Sequence, residues 1–377
     1  MASPEYRNGA DCVVVGAGII GMLTAWLLRD AGLEVLLVER GEAGRESSWA
    51  GGGIISPLYP WRYPDAVNRL AHRSQALYPE LVQRILDASG VDPEYLASGL
   101  LILDTGEEAA ATAWAGRYAD EFRIIGQEDI AAVEPSLREG IASRAFWLPR
   151  IGQVRNPRFA RALRLALAAR GAGFLEHCPV GGIRVQGGRV RGVETGTGFI
   201  PAERVVVAGG AWSRGLLAPT GIDLPVRPVR GQMILFRGQP GQVRRIVLHR
   251  GRYLIPRRDG RILVGSTLEE VGFDKSVTSE AREELRRAAV KLVPLLADLD
   301  IEHHWAGLRP GSPDGIPMVG PHPGIEGLHV NTGHYRNGVV LGPASAELMV
   351  ALMLGEEPRL DPGPYNPAAF EGKTAGS

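Results

Sequence analysis

The stretch that most constrains this chain is Cys12–Gly21, CVVVGAGIIG, read together with Glu39. Cys12–Val15 is a short apolar, β-branched run that suits a buried strand. Gly16, Gly18 and Gly21 follow at the spacing GxGxxG, and a helical pattern runs through Met22–Leu28. Gly16 lets the chain turn sharply off the strand and Gly18 lets backbone come against a pyrophosphate. Gly21 lets helix and strand pack closely, and the helix N-terminus supplies N–H groups and partial positive charge. A second strand, Glu34–Val38, ends in Glu39, where an acid accepts hydrogen bonds from a ribose 2′-hydroxyl and disfavours a 2′-phosphate. A lone GxGxxG is a weak signal. Strand, helix and acid together read as an ADP-binding βαβ unit.

At 377 residues the chain has length for a large core and two domains. Lys plus Arg and Asp plus Glu stand at 42 each, so no basic stripe argues for nucleic acid and no acidic tail for tethering. Cys12 and Cys178 are too few and too far apart for a disulfide framework or metal cluster, which favours a reducing compartment. Val13–Leu28 is apolar but broken by glycines and shorter than the roughly 20 residues a spanning helix needs. With no basic-then-apolar leader, the expectation is a cytoplasmic protein without membrane or nucleic-acid partners.

Beyond Arg40 the chain does not go on to a regular βα unit. Ser47, Ser48, Gly51, Gly52, Gly53 and Ile54 arrive where the pyrophosphate and the far end of the cofactor would lie. Small residues there permit a planar ring against the backbone, and a flexible linker is the plainer alternative. An amphipathic helix is expected over Ala66–Leu86, a strand over Gly99–Leu103, a helix over Glu107–Tyr118 and a single turn over Glu128–Val133. A helix capped by Asn156 with Pro157 in its first turn runs to Arg170. Strands Gly173–Glu176, Val180–Val185 and Val190–Thr195 precede Glu203–Val207, whose glycine-rich exit at Gly209 returns to the cofactor side of the sheet. Pro225–Phe236, Ile246–Leu248, Tyr253–Pro256 and Ile262–Val264 are spaced as an antiparallel sheet. Ser279 is expected to cap a helix over Glu280–Leu292. Strands Glu302–Leu308 and Leu328–Asn331, a helix over Pro343–Leu354 and a loosely attached proline-rich tail from Glu356 complete the reading.

The fold class is therefore α/β: a Rossmann-like parallel-sheet domain of the glutathione-reductase type, interrupted by a substrate domain with an antiparallel sheet. The expected division is 8–90, 150–220 and 305–365 for the cofactor domain, and 91–149 with 221–304 for the substrate domain.

Chemistry is sought where basic or phenolic side chains stand beside glycines at strand ends: Tyr253, Arg309 and Arg336. An arginine at a cleft clamps a carboxylate with two parallel hydrogen bonds, and a phenol adds a donor. A surface charge is the plainer reading of any one arginine. The segment at Arg336–Val340 can instead present helix N-terminal N–H groups to a ring on which negative charge develops. No histidines have metal-ligand spacing, no GxSxG occurs and neither cysteine stands with a base, so the cofactor is expected to do the reaction.

GAGIIG with Glu39, SSWAGGGI, VAGGAWS, Pro228–Gln232, Tyr253–Arg257, Ala306–Pro310 and Gly333–Gly338 together resemble the D-amino-acid oxidase superfamily of flavoproteins, and within it the glycine oxidases of thiamine biosynthesis. The resemblance runs in order over nearly the whole chain. It implies FAD rather than NAD, held without a covalent bond. Ile19, Ile20, Glu39, Arg40, Ser47, Ser48, Gly52, Gly53, Ile54 and Val180 would line it, with His334, Tyr335, Arg336, Asn337, Gly338, Val339 and Val340 at the isoalloxazine. Arg309 and Arg336 match the substrate residues, with Tyr253 alongside. The implied reaction converts glycine, sarcosine, small amines or D-amino acids by hydride transfer, giving glyoxylate from glycine, with ammonia and hydrogen peroxide; dioxygen is the acceptor and a homo-oligomer the assembly. A D-amino-acid dehydrogenase or an oxidase of N-substituted glycines keeps the same fold. A nicotinamide-dependent reductase and a flavin-binding chaperone are the more distant rivals.

Overall fold

The computed structural model describes residues 9–119 and 121–373. The chain opens with β1 (Ala10–Val15), α1 (Ile19–Asp30), β2 (Val35–Val38) and the short α2 (Ser47–Ala50). Then come α3 (Asp65–Ser89), β3 (Leu100–Ile102), α4 (Glu108–Tyr118), β4 (Arg123–Gly126), α5 (Gln127–Val133) and β5 (Arg144–Leu148). The middle of the chain forms α6 (Asn156–Ala169), β6 (Gly173–Leu175), β7 (Val180–Gln186), β8 (Arg189–Thr195), β9 (Gly198–Val207) and α7 (Ser213–Leu217). The remainder supplies β10 (Arg227–Phe236), β11 (Ile246–His249), β12 (Arg252–Pro256), β13 (Ile262–Gly265) and α8 (Ser279–Leu292). It closes with β14 (Ile301–Gly311), β15 (Met318–Pro321), β16 (Leu328–Thr332) and α9 (Gly338–Leu354).

Two sheets result. The first runs β15-β16-β9-β1-β2-β6, parallel from β16 to β6, with β7 and β8 as an antiparallel excursion feeding β9. The second runs β14-β10-β13-β12-β11-β3-β5-β4 and is antiparallel apart from the β3–β11 pair. The expected combination of a parallel and an antiparallel sheet is what the chain forms. Along β1 the side chains alternate between two cores: Cys12 and Val14 pack with α1, α3, α6 and α9, while Val13 and Val15 pack with β8, β9 and α7. The central strand is covered on both faces, which is why its sequence is a continuous apolar run.

Several local expectations are corrected. Asn156 does not cap α6; it is the first helical residue, and its Nδ2 donates to the Ser48 carbonyl at 2.8 Å. Ser279 does not cap α8, because it is already helical; Thr278 in extended conformation does so, its hydroxyl accepting from the Ala281 N–H. α5 spans Gln127–Val133 rather than a single turn, and β9 begins at Gly198, ahead of the expected Glu203. The tail is not loose: Tyr365 and Phe370 are buried, and Tyr365 donates to the Ala66 carbonyl at 2.8 Å.

The last correction concerns α9, which starts at Gly338 with Pro343 inside it. A proline lacks the N–H that would bond the carbonyl four residues back, here Val339. That carbonyl instead accepts from the Tyr78 hydroxyl at 2.6 Å, and the next N–H, of Ala344, donates to Ser74 Oγ at 3.0 Å. Two side chains of α3 thus repair the helix around the proline.

Candidate active site

Between the two sheets lies a cavity of about 510 Å³, within the size range of small-molecule and cofactor sites. At one part of its wall stands the β1–α1 turn. Gly16 has φ +104, and a Cβ there would lie 2.5 Å from the Ala208 carbonyl oxygen, so only glycine fits between this turn and the exit of β9. Gly18, Ile19 and Ile20 face the cavity at the N-terminus of α1. Ser48, carried in by α2, accepts from the Ile19 N–H at 2.8 Å and so caps α1 from outside its own sequence. Glu39 is held by the N–H groups of Ala17 and Gly41, each at 2.9 Å, with its carboxylate against the same cavity.

Arg40, Ser47, Gly52, Gly53, Ile54, Val180 and Gly209 also line it, as expected. Gly21 does not: a Cβ there would meet the Gly16 carbonyl oxygen at 2.0 Å, which fits its expected part in packing α1 on β1. Arg40 stacks over Trp212 at 3.4 Å and pairs with Glu46 at 2.7 Å, and both partners line the cavity although neither is among the expected cofactor residues. Ser56, Leu58, Asn331 and Thr332 were missed as well; only proximity in the fold identifies them.

A second helix N-terminus closes the site. His334 to Val340 all line the cavity, and the first N–H groups of α9, from Gly338 to Val340, have no partner within the helix. Tyr335 sits at φ 44 and its N–H donates to the Pro310 carbonyl at 2.9 Å, tying this loop to the end of β14. Burial pushes the His334 imidazole down to about 3, so the ring is neutral at ordinary pH.

Two of the three substrate candidates, Arg309 and Tyr253, stand on the second sheet. Arg309 on β14 pairs with Val229 on β10, and its guanidinium donates to the carbonyls of Arg230 (3.3 Å) and Thr267 (3.1 Å) and to Ser266 Oγ (2.7 Å). These acceptors are neutral, and enclosure by the protein pulls the guanidinium below its ordinary pKa. Tyr253 on β12 lies between Gly52 and Gly265: a Cβ on either would meet its ring or hydroxyl within 3.2 Å. Arg257, four residues on, is buried and donates to the Gly52 carbonyl at 2.8 Å, fixing the glycine run from below. Arg309, Tyr253 and Arg336 all line the cavity, so the fold brings the three expected residues together.

The residues present fit a flavin dinucleotide. Two helix N-termini, a backbone cradle too tight for any Cβ at Gly16 and an acid held by backbone N–H groups suit an ADP moiety and an electron-rich ring. Neither Cys12 nor Cys178 lines the cavity, and burial raises the Cys12 thiol to about 12. Among the described residues no cluster of histidine, cysteine or acid could hold a metal ion, and no helix is long and apolar enough to cross a membrane.

Comparison with known proteins agrees with this geometry. Residues 11–352 match the family model described as FAD dependent oxidoreductase. The chain is 54% identical to a protein named glycine oxidase from Pseudomonas aeruginosa, over 94% of this chain and 98% of that one. It is 33% identical to a bifunctional protein ThiO/ThiG from Nostoc sp., over 93% of this chain and 53% of that one. The solved glycine oxidase from Geobacillus kaustophilus superposes with a TM-score of 0.90 at 30% identity, covering 95% of this chain and 98% of the other. The family resemblance carried by the motifs is borne out, and the chain belongs to the FAD-dependent oxidoreductases of the D-amino-acid oxidase type.

Proposed function

We propose that this chain catalyses FAD-dependent oxidative deamination of glycine, with water and dioxygen as co-reactants and glyoxylate, ammonia and hydrogen peroxide as products. The observation that carries the reading is Arg309, a guanidinium on the cavity wall whose hydrogen-bond partners there are neutral oxygens. A cation so placed favours an anionic ligand, and its planar fork matches a carboxylate. The relative at 54% identity, named glycine oxidase, supports glycine as the amine, and the ThiO/ThiG relative supports a role in supplying thiamine thiazole synthesis.

Arg309 binds the substrate carboxylate, and the Tyr253 hydroxyl adds a donor from β12 of the same sheet. Arg336, from the loop before α9, stands on the same cavity. Held at its carboxylate, the substrate presents its α-carbon in one orientation, and this positioning supplies much of the rate. FAD, when bound, supplies the acceptor for the hydride leaving that carbon. The N–H groups at the start of α9 favour negative charge nearby, and this support comes from the backbone, since burial keeps His334 neutral. No side chain is required to remove a proton from a substrate whose amine is already neutral.

The same reading takes residues 8–90, 150–220 and 305–365 as the cofactor domain and 91–149 with 221–304 as the substrate domain. It also takes FAD as non-covalent, dioxygen as acceptor, the cytoplasm as location and a homo-oligomer as assembly. The test is an absorbance spectrum of the purified protein, followed anaerobically on adding glycine. Flavin bands that bleach, with peroxide formed when air is admitted, support the proposal. Bands bleached by sarcosine or a D-amino acid but not by glycine replace it with the N-substituted glycine or D-amino-acid reading.

A further inference from the structure

The segment between Ile54 and α3 passes over the cavity, where Ser56 and Leu58 form part of its wall. Leu58 packs in the same apolar cluster as Tyr253 and Met233, at the part of the cavity faced by the second sheet. The next residue, Tyr59, is buried in a left-handed conformation, with φ 52. Such a backbone is unfavourable for a tyrosine, so something must hold it there.

What holds it is Asp104, just beyond β3. The Tyr59 hydroxyl donates to Asp104 Oδ2 and accepts from the Gly251 N–H at 3.0 Å. Asp104 Oδ2 also accepts from the Arg250 N–H at 2.7 Å, and Oδ1 lies 3.1 Å from His249 Nδ1. Arg250 and Gly251 are the tight turn between β11 and β12, with φ values of 48 and 73. Tyr253 follows that turn on β12. One carboxylate therefore ties together the segment over the cavity and the turn ahead of Tyr253, with His249 at the end of β11 beside it. A second acid reinforces the segment: Glu107 accepts from Trp61 Nε1 at 2.5 Å and Arg62 Nε at 2.7 Å.

We infer that Asp104 is a positioning residue for substrate binding, fixing Leu58 over the substrate and Tyr253 beside it through Tyr59 and the Arg250–Gly251 turn. Asp104 does not line the cavity, so it acts through those two groups. The inference rests on the glycine reading only for the identity of the amine. An asparagine at 104 keeps the size but not the charge, so the charge-assisted bonds that Tyr59 and the Arg250 N–H both make to Oδ2 become weaker neutral ones, and His249 faces an amide in place of Oδ1.

The experiment compares steady-state glycine oxidation by FAD-loaded parent, Asp104→Asn and Tyr59→Phe proteins, with flavin content measured on the same samples. The expected result is a KM raised about tenfold in each variant, the equivalent of one lost hydrogen bond, with kcat within about threefold and full flavin content. Asp104→Glu, which keeps the charge, recovers part of the loss. A flavin-replete variant whose KM stays within about twofold of the parent overturns the inference, as does loss that falls on kcat or flavin content alone. If Asp104→Asn does not fold, Tyr59→Phe decides by the same criterion, since it removes a single hydroxyl. A parent that reduces its flavin with another amine and not with glycine refutes the glycine reading instead. The variant-to-parent ratio measured on that amine then decides the role of Asp104.

Discussion

A methyl group on Gly231 would stand 2.1 Å from both terminal guanidinium nitrogens of Arg309, across the β10–β14 pairing. Gly231 is thus the floor on which the Arg309 guanidinium lies. Under the proposed function, replacing Arg309 by alanine removes one or two charge-assisted bonds to the substrate carboxylate, each worth about 1.5–3 kcal/mol. Glycine kcat/KM is expected to fall roughly 10²- to 10³-fold with FAD retained. Gly231→Ala should reproduce most of that loss without touching the arginine itself, by driving the guanidinium out of its place. Stopped-flow flavin reduction by glycine measures both, and unchanged kinetics in Gly231→Ala would show that the guanidinium works from another position.

Cofactor retention should depend on a contact at the rim. Phe273, 52% exposed on the loop after β13, stacks on Trp212 at 5.4 Å, and Trp212 in turn carries Arg40. The neighbouring Lys275 reaches Glu46 at 3.2 Å. An aromatic pair contributes about 0.5–1.5 kcal/mol, whereas an exposed ion pair contributes about 0–1 and is screened by salt. Phe273→Ala is therefore expected to speed FAD release about two- to tenfold, and Lys275→Ala to change it little at physiological ionic strength. The return of flavin fluorescence on dilution measures the rate. A larger effect from the lysine would reverse the ranking.

Acid should weaken the fold through two histidines. Burial pushes His334 down to about 3 and His329 to about 4, from an ordinary value near 6.5. A lowered folded pKa means that the unfolded chain takes up the proton first. The stability from keeping each ring neutral is whole above pH 6.5 and is lost as pH falls towards the folded values. Each ring costs at most about 1.4 kcal/mol per pH unit in that window. Urea unfolding at pH 7, 6 and 5 should show the decline, and His329→Gln should make it shallower. A flat profile between pH 7 and 5 would mean that the rings are not held neutral.

The parts of the site legible in the sequence are those whose signals are local. Gly16, Gly18 and Glu39 announce themselves by spacing because strand, turn and helix lie next to one another in the chain. Arg309 and Arg336 were found beside glycines, where backbone must approach closely. Contacts made across the fold were not legible. Ser48 caps α1 from a different helix, and Trp212 meets Arg40 and Phe273 from two distant segments. The sequence alone predicts the last helix over Pro343–Leu354, and a proline disfavours a helix interior. The residues that let the helix run through it, Tyr78 and Ser74, lie on α3 and carry no mark of that task in their own surroundings.

That repair can be measured as a coupling. In Tyr78→Phe the partly buried Val339 carbonyl loses its donor, which costs about 1–3 kcal/mol. Restoring the missing N–H by Pro343→Ala gives the same carbonyl a partner within the helix. In the parent this second change should matter little, because the carbonyl is already bonded by Tyr78. In the Tyr78→Phe background it should recover a large part of the loss. The double-mutant cycle is thus expected to show a coupling of about 1 kcal/mol or more, read from urea unfolding of the four proteins. Val339 also lines the cavity, so Tyr78→Phe should loosen FAD, and the double variant should bind it more tightly than the single one. Strictly additive effects would mean that Tyr78 stabilises α9 by packing alone, and that the proline is accommodated without it.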